Sequence, residues 1–207
     1  MRTALGTKKL VMSLYYLLLL AGFSALGYCV IVAWRANRYQ GWAGGQLQNS
    51  GAEAGASAKP SFPFGNSSPS PPLAVSGPRV VGRVDIPRAH ISAMIAEGVT
   101  ARSLSVAVGH VPGTALPGQS GNTVLAAHRD TFFRRLGELQ RGDAIRITGV
   151  SGEYTYHVSF TAIVNPSETW VLLPASGETL TLVTCYPFHF VGAAPKRFVV
   201  RAHGSPA

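Results

Sequence analysis

The stretch Glu178-Thr-Leu-Thr-Leu-Val-Thr-Cys185-Tyr-Pro-Phe188 decides how the rest of the chain reads. It has the pattern of a short β-strand running straight into a lone cysteine, with Pro187 two residues later to end the pairing. Strand side chains alternate between faces. Leu180, Leu182 and Thr184 therefore share one face, and Thr179, Thr181, Val183 and Cys185 share the other. The leucine face is the core side, so the thiol is expected at the strand's end on the face turned away from the core. That is an odd place for a cysteine that only packs.

On either side of this strand, residues 79–205 read as mostly β. Strands are expected at 80–86, 91–96, 122–127, 144–148, 153–164 and 196–203, with loops at 109–121 and 165–178. Thr100 is placed to cap one short helix over 101–106. The alternation in 153–164 puts Tyr154, Tyr156, Val158, Phe160, Ala162 and Val164 on one face. In 196–203 it puts Phe198, Val200 and Ala202 inward and Arg197, Val199 and Arg201 outward. So many short strands with one short helix suggest a closed barrel or a sandwich.

Ahead of this domain, residues 10–34 carry no charge. As a helix they extend for about 37 Å, enough to span a hydrocarbon core of about 30 Å with some tilt. The net charge of +9 is uneven, and Arg2, Lys8, Lys9, Arg35 and Arg38 flank the apolar run with no acid among them. That distribution argues for membrane orientation and against nucleic-acid binding, because no basic face interleaved with aromatics accompanies it. The expected order is a cytoplasmic tail over 1–9, a transmembrane anchor over 10–34, a flexible Gly/Ala/Ser/Pro-rich tether over 35–78 and a folded domain over 79–207. A cleaved signal peptide is the competing reading of the apolar run. No partner other than the membrane is implied by composition.

A cysteine nucleophile needs a base and a group that holds the oxyanion. Of six histidines, His128 stands out because it ends a strand of small and apolar residues and opens a polar turn. A capping or structural histidine is the competing reading. Arg197 reaches the outer face beside Cys185 if their strands are neighbours, and a solvated strand arginine is the alternative. There is no Cys-x-x-Cys and no His-x-x-x-His, and the acids are scattered, so neither a metal nor a cofactor is expected. The strand-turn-helix elbow of an α/β hydrolase is also missing.

These residues resemble the sortases, membrane-anchored cysteine transpeptidases, over essentially all of 80–203. Thr181-Leu-Val-Thr-Cys185 is similar to the family's Thr-Leu-x-Thr-Cys signature, and Arg197 lies twelve residues on. Gly109-His-Val-Pro-Gly-Thr-Ala-Leu-Pro-Gly118, His128-Arg-Asp-Thr-Phe-Phe133, Cys185-Tyr-Pro-Phe188 and Ala193-Ala-Pro-Lys-Arg-Phe198 look most like class D. Ala127 departs from the class, which usually has glycine before the histidine.

The resemblance implies a sortase-like eight-stranded β-barrel with one or two short helices and an outer groove. It implies Cys185 as nucleophile, His128 as general acid and base, Arg197 as oxyanion and substrate donor, and Thr184 as a substrate contact. The substrates it implies are proteins bearing a Leu-Pro-x-Thr-Gly-like or Leu-Pro-x-Thr-Ala-like sorting signal, and an amine acceptor. The location it implies is the cytoplasmic membrane of a bacterium, with the domain on the extracytoplasmic side. A β-barrel cysteine peptidase without transfer and a non-catalytic tethered binding domain are the alternatives.

Overall fold

The computed structural model describes residues 3–56 and 79–204. The chain falls into two compact units, Met1–Arg38 and Tyr39–Ala207. Helix α1 (Thr3–Ala56) makes up the first unit and begins the second. Its apolar side chains, among them Leu17, Leu18, Leu20, Phe23 and Leu26, are exposed. By length and composition it is able to cross a membrane, with the apolar window found inside Met12–Gln48.

The helix does not end where the composition suggested. Residues 35–56, expected as the first part of a flexible tether, are helical, and the remainder of that stretch, 57–78, lies outside the described residues. Gly41, Gly44 and Gly45 each disfavour helix by about 1 kcal/mol relative to alanine. Packing within the second unit opposes that preference. Tyr39 and Ala43 bury against Met94, Ala96 and Ala107, with Trp42, Leu47, Val80 and Val106 around them. The Gln40 carboxamide accepts from the Met94 N–H at 2.7 Å and donates to the Val106 carbonyl at 2.7 Å. Most helical stability comes from such tertiary contacts.

The second unit continues as β1 (Val80–Ile86), β2 (Ile91–Glu97), helix α2 (Ala101–Leu104), β3 (Val108–His110), β4 (Gly121–Ala126), β5 (Ala144–Gly149), β6 (Gly152–Val164), β7 (Glu178–Tyr186) and β8 (Lys196–Gly204). These eight strands close into a barrel in the order β1-β2-β3-β4-β7-β8-β6-β5. The fold is therefore the expected one, mostly β, with few short helices and an apolar helix before the barrel. Thr100 caps α2 as anticipated, its hydroxyl oxygen accepting from Ser103 N–H at 3.2 Å. Strand β3 overlaps the start of the stretch 109–121 read as a loop; it is three residues long, too short for a period to show.

The core gathers inward residues of every strand, including Ile86, Ile95, Val108, Leu125, Ile147, Tyr156, Leu180, Leu182 and Val200. Burying each aliphatic side chain of this kind contributes about 1.5–3 kcal/mol. Leu180 and Leu182 are fully buried, as the alternation around Cys185 demanded. Strand β6 breaks its alternation, however. Its ladder with β8 shifts between Val158 and Phe160, leaving Ser159 as an extra residue whose hydroxyl donates to the Arg201 carbonyl at 2.9 Å. Such a bulge reverses the facing of everything beyond it. Tyr156 and Val158 lie in the core, but Val164 packs outside it with Val171 and Val199. Phe160 is exposed and stacks on Trp170 at 6.4 Å.

Candidate active site

Strand β7 lies between β4, which runs parallel to it, and β8, which runs antiparallel. Both neighbours deliver a candidate residue to Cys185. On the β8 side the ladder pairs Cys185 directly with Arg197. Paired residues share a face, so thiol and guanidinium rise from the same outer surface. On the β4 side the register runs Leu125 to Leu182 and Ala126 to Val183. It continues through Ala127, whose N–H donates to the Val183 carbonyl at 3.3 Å. Carried two residues beyond Ala126, that register sets His128 on the face of Ala126 and level with Cys185. Cys185 and Arg197 are half-buried and His128 is exposed. The order across the surface is histidine, cysteine, arginine.

The backbone around each residue explains its position. The carbonyl of His128 accepts from the N–H groups of Thr131 and Phe133, at 3.4 and 3.2 Å, and Phe133 is fully buried. The turn after the histidine is thereby tied into the core. Arg197 folds its Nη1 back onto its own loop, donating to the carbonyls of Ala194 at 3.2 Å and Lys196 at 2.9 Å. Ala127, the departure from the class D pattern, turns its methyl into the core and is 6% exposed.

Thr184 stands apart from the other expected site residues. It faces the core, is buried, and donates its hydroxyl hydrogen to the Ala127 carbonyl at 2.8 Å. The β7–β8 ladder thus brings Cys185 and Arg197 together, the register of β4 sets His128 level with them, and Thr184 lies behind, where it stitches the end of β7 to the residue before His128. Cys29 and Cys185 are both free thiols.

Beyond Cys185 the outer face is not open. Val183, Thr181 and Thr179 follow it along β7, opposite Val199, Arg201 and His203 on β8. The loop between β6 and β7, with a 3-10 helix at Thr169–Leu172, covers them. Val171 is buried against Val164 and Val199. The Asn122 carboxamide donates to the carbonyls of Val171 at 2.9 Å and Leu173 at 3.1 Å, while the Thr181 hydroxyl donates to Asn122 Oδ1 at 2.6 Å. Arg201 adds a bond to the Val171 carbonyl at 3.2 Å. Its Nε is buried without a partner, and burial pushes the guanidinium below its ordinary pKa.

Residue-by-residue reading of the sequence missed Asn122 and treated Arg201 as an outward strand residue. The available signal was a polar side chain in the apolar run of β4. A cleft at the end of the barrel where β7 finishes is lined by Arg134, Ile163, Tyr186, Phe188, His189 and Phe198. Tyr186, Phe188 and Phe198 form its aromatic cluster, with ring centroids 5.4–6.2 Å apart.

A thiol between an imidazole and a guanidinium on an external strand surface is equipped for acyl transfer. In such a set a thiolate can attack a carbonyl, an imidazole can exchange protons with amines, and a guanidinium can receive developing oxyanion charge.

Comparison with known proteins identifies the family. The sortase domain family matches residues 84–205. Sortase D of Bacillus subtilis (strain 168) is 42% identical over 120 residues, which are 58% of this chain and 61% of that protein. The chain therefore spans less than two thirds of that relative. Among solved structures, a Clostridium perfringens sortase D5 transpeptidase superimposes with a TM-score of 0.56 at 32% identity, covering 61% of this chain and 79% of the other. Sortase C-1 from Actinomyces oris superimposes with a TM-score of 0.57 at 33% identity, covering 61% and 73%. The matched residues take in β4, β7 and β8 with the turn that carries His128 and the loop that leads to Arg197, so the chain belongs to the sortase family, with its likeness to class D upheld.

Proposed function

We propose that this chain is a membrane-anchored cysteine transpeptidase. It cleaves a Leu-Pro-x-Thr-Gly-like or Leu-Pro-x-Thr-Ala-like signal after the threonine and transfers the acyl group to an amine. The observation that carries the reading is the pairing of Cys185 with Arg197 across β7 and β8, with His128 arriving from β4 on the other side.

In the first half-reaction the Cys185 thiolate attacks the threonine carbonyl, and Arg197 donates to the oxygen as it becomes negative. Collapse breaks the carbon–nitrogen bond, and His128, as imidazolium, gives its proton to the departing amine. An acyl-thioester remains on Cys185. In the second half an incoming amine attacks the thioester and surrenders a proton to His128, and the Cys185 thiolate leaves. Water in place of the amine gives hydrolysis as the slower route. Thr184 serves this site from behind, through its bond to the Ala127 carbonyl.

The reading includes residues 10–34 as a single-pass anchor in a bacterial cytoplasmic membrane, a tail over 1–9 in the cytoplasm and the 79–207 domain outside. The basic residues Arg2, Lys8 and Lys9 before the apolar run support that orientation. Its partners are proteins that carry the sorting signal and an amine acceptor on the cell surface.

The test is incubation of the protein with a Leu-Pro-x-Thr-x peptide library and an added amine, followed by mass spectrometry. The expected result is an acyl adduct on Cys185, cleavage after threonine and capture by the amine. Cleavage indifferent to Leu-Pro would overturn the sorting reading. Release of free acid alone, even at high amine concentration, points to a peptidase. Absence of any adduct points to a binding domain.

A further inference from the structure

The loop between β7 and β8, residues 187–195, joins Cys185 to Arg197, and its outer part buries little. Phe190 is 43% exposed and Val191 is 98% exposed. Apolar burial therefore does not hold that part of the loop, and polar contacts must. Arg129, the residue after His128, supplies them. Its Nη1 donates to the Pro187 carbonyl at 3.1 Å, and its Nη2 donates to the carbonyls of Phe190 at 2.6 Å and Gly192 at 3.0 Å. Its guanidinium carbon also lies 5.9 Å from the centre of the Phe190 ring. Both limbs of the loop, the one leaving Cys185 and the one returning to Arg197, end on a single side chain.

Two further carbonyls, one in the loop and one at the start of β8, extend the pattern. Arg197 takes those of Ala194 and Lys196. Two arginines therefore divide the loop between them, one adjacent to His128 in sequence and the other facing Cys185. Pro187, Phe190 and Gly192 bind to the histidine side, and Ala194 and Lys196 to the arginine side.

We propose that Arg129 is a positioning residue for the proposed transfer reaction. By gripping the three carbonyls it locks the loop onto the turn that carries His128, and so holds His128, Cys185 and Arg197 in one register. The inference rests on the function proposed above. The planar fork of arginine suits the task, because donors at fixed angles reach several carbonyls at once. A lysine ammonium reaches fewer of them, and a methionine reaches none. Misplacing a reacting group by about 1 Å costs on the order of 10²-fold in rate, so a slack loop is read in turnover and not in peptide affinity.

The test compares the full chain in detergent with R129K and R129M, using R146M on β5 as an exposed arginine control. Each is measured for turnover of a Leu-Pro-x-Thr-x peptide per folded molecule and for amide exchange across 187–195. The pH profile of Cys185 alkylation by iodoacetamide, followed on the peptide that contains it, needs no peptide substrate. The expected outcome is a fall in kcat of about 10²-fold in R129M and about tenfold in R129K, with KM within about threefold. Loop exchange quickens, and the R129M alkylation profile moves to higher pH. Should R129M fail to fold, R129K carries the comparison. Wild-type kcat per folded molecule with an unmoved alkylation profile overturns the proposal. If the wild-type protein transfers no peptide at all, the functional reading fails by itself, and an altered alkylation profile in R129M still upholds the clamp.

Discussion

The carboxamide nitrogen of Asn122 lies 2.9 Å from the main-chain oxygen of Val171, so a side chain of β4 reaches across the outer face to hold the loop between β6 and β7. Thr181 on β7 orients that carboxamide, and Arg201 on β8 shares the same carbonyl. Three adjacent strands thus hold one loop beside Cys185. Asn122→Ala removes the donor to two carbonyls and leaves the Thr181 hydroxyl short of an acceptor, a cost of about 1–3 kcal/mol. Hydrogen exchange across 168–174 should quicken and selectivity among library peptides should fall, while the alkylation rate of Cys185 stays as it is.

At the proposed site, Cys185→Ala should abolish the adduct seen by mass spectrometry and leave the fold intact. His128→Ala and Arg197→Ala should each lower turnover by about 10²–10⁴-fold. The reaction needs thiolate and imidazolium together, so the wild-type rate should rise as the thiol ionises and fall as the imidazolium loses its proton. A profile that stays flat from about pH 6 to 9 would count against this pair as acid and base.

Gly109 illustrates why the motif before the long loop needs glycine. A Cβ there would lie 2.6 Å from the Gly98 carbonyl oxygen and 2.8 Å from Leu104 Cδ2. The first contact is backbone and cannot swing aside. Gly109→Ala should destabilise by about 1–3 kcal/mol, measured by urea unfolding, with Cys185 untouched.

Tyr156 is 1% exposed and its hydroxyl oxygen accepts from the Gly118 N–H at 3.0 Å. Burial raises its pKa above the ordinary tyrosine value. The folded state therefore keeps the proton that the unfolded chain gives up first. The resulting stability is present in full below the ordinary tyrosine pKa of about 10 and is lost as pH rises through the higher folded value. Tyr156→Phe should cost about 1 kcal/mol near neutrality and flatten that alkaline loss, as read by unfolding midpoints across pH.

The Gln40 bridge makes a prediction about fragments. A piece covering 79–207 loses Tyr39 and Ala43 from the cluster with Met94, Ala96 and Ala107, and loses the partners of the Met94 N–H and Val106 carbonyl. It should unfold at lower urea than a piece covering 36–207. Gln40→Ala in the longer piece should reproduce about 1–2 kcal/mol of that difference. Equal midpoints for the two pieces would argue that the helix segment contributes nothing to the domain.

What could be read from the chain alone depended on how local the cause was. The outward facing of Cys185 was legible, because period-two alternation over Leu180 and Leu182 is a property of adjacent residues. Arg197 was legible as an outer-face residue for the same reason, and its partnership came with the family motifs. The helix over 35–56 was not, because glycines 41, 44 and 45 suggest flexibility and the surface that stabilises Tyr39 and Ala43 lies over fifty residues away. Strand β6 misled differently. Phe160, Ala162 and Val164 continue the apolar rhythm past the bulge because the outer face there is covered too, so the reversal leaves no mark on the pattern. Arg129 and Asn122 escaped notice since their partners are main-chain carbonyls of distant loops, which carry no residue signature.

The extra residue at Ser159 also has a consequence for how the domain is built. One strand serves two interiors: its first half fills the barrel through Tyr156 and Val158, and its second half supplies Val164 to the shelf beneath Val171. Parity is switched at a single position. Were Ser159 paired in an unbroken ladder instead of bulged, Ala162 and Val164 would turn inward, stripping the support from the loop beside Cys185 while every motif residue kept its place in the sequence. The site thus hangs on where one ladder skips a residue as well as on residue identities, and the residue that is skipped takes no part in the chemistry.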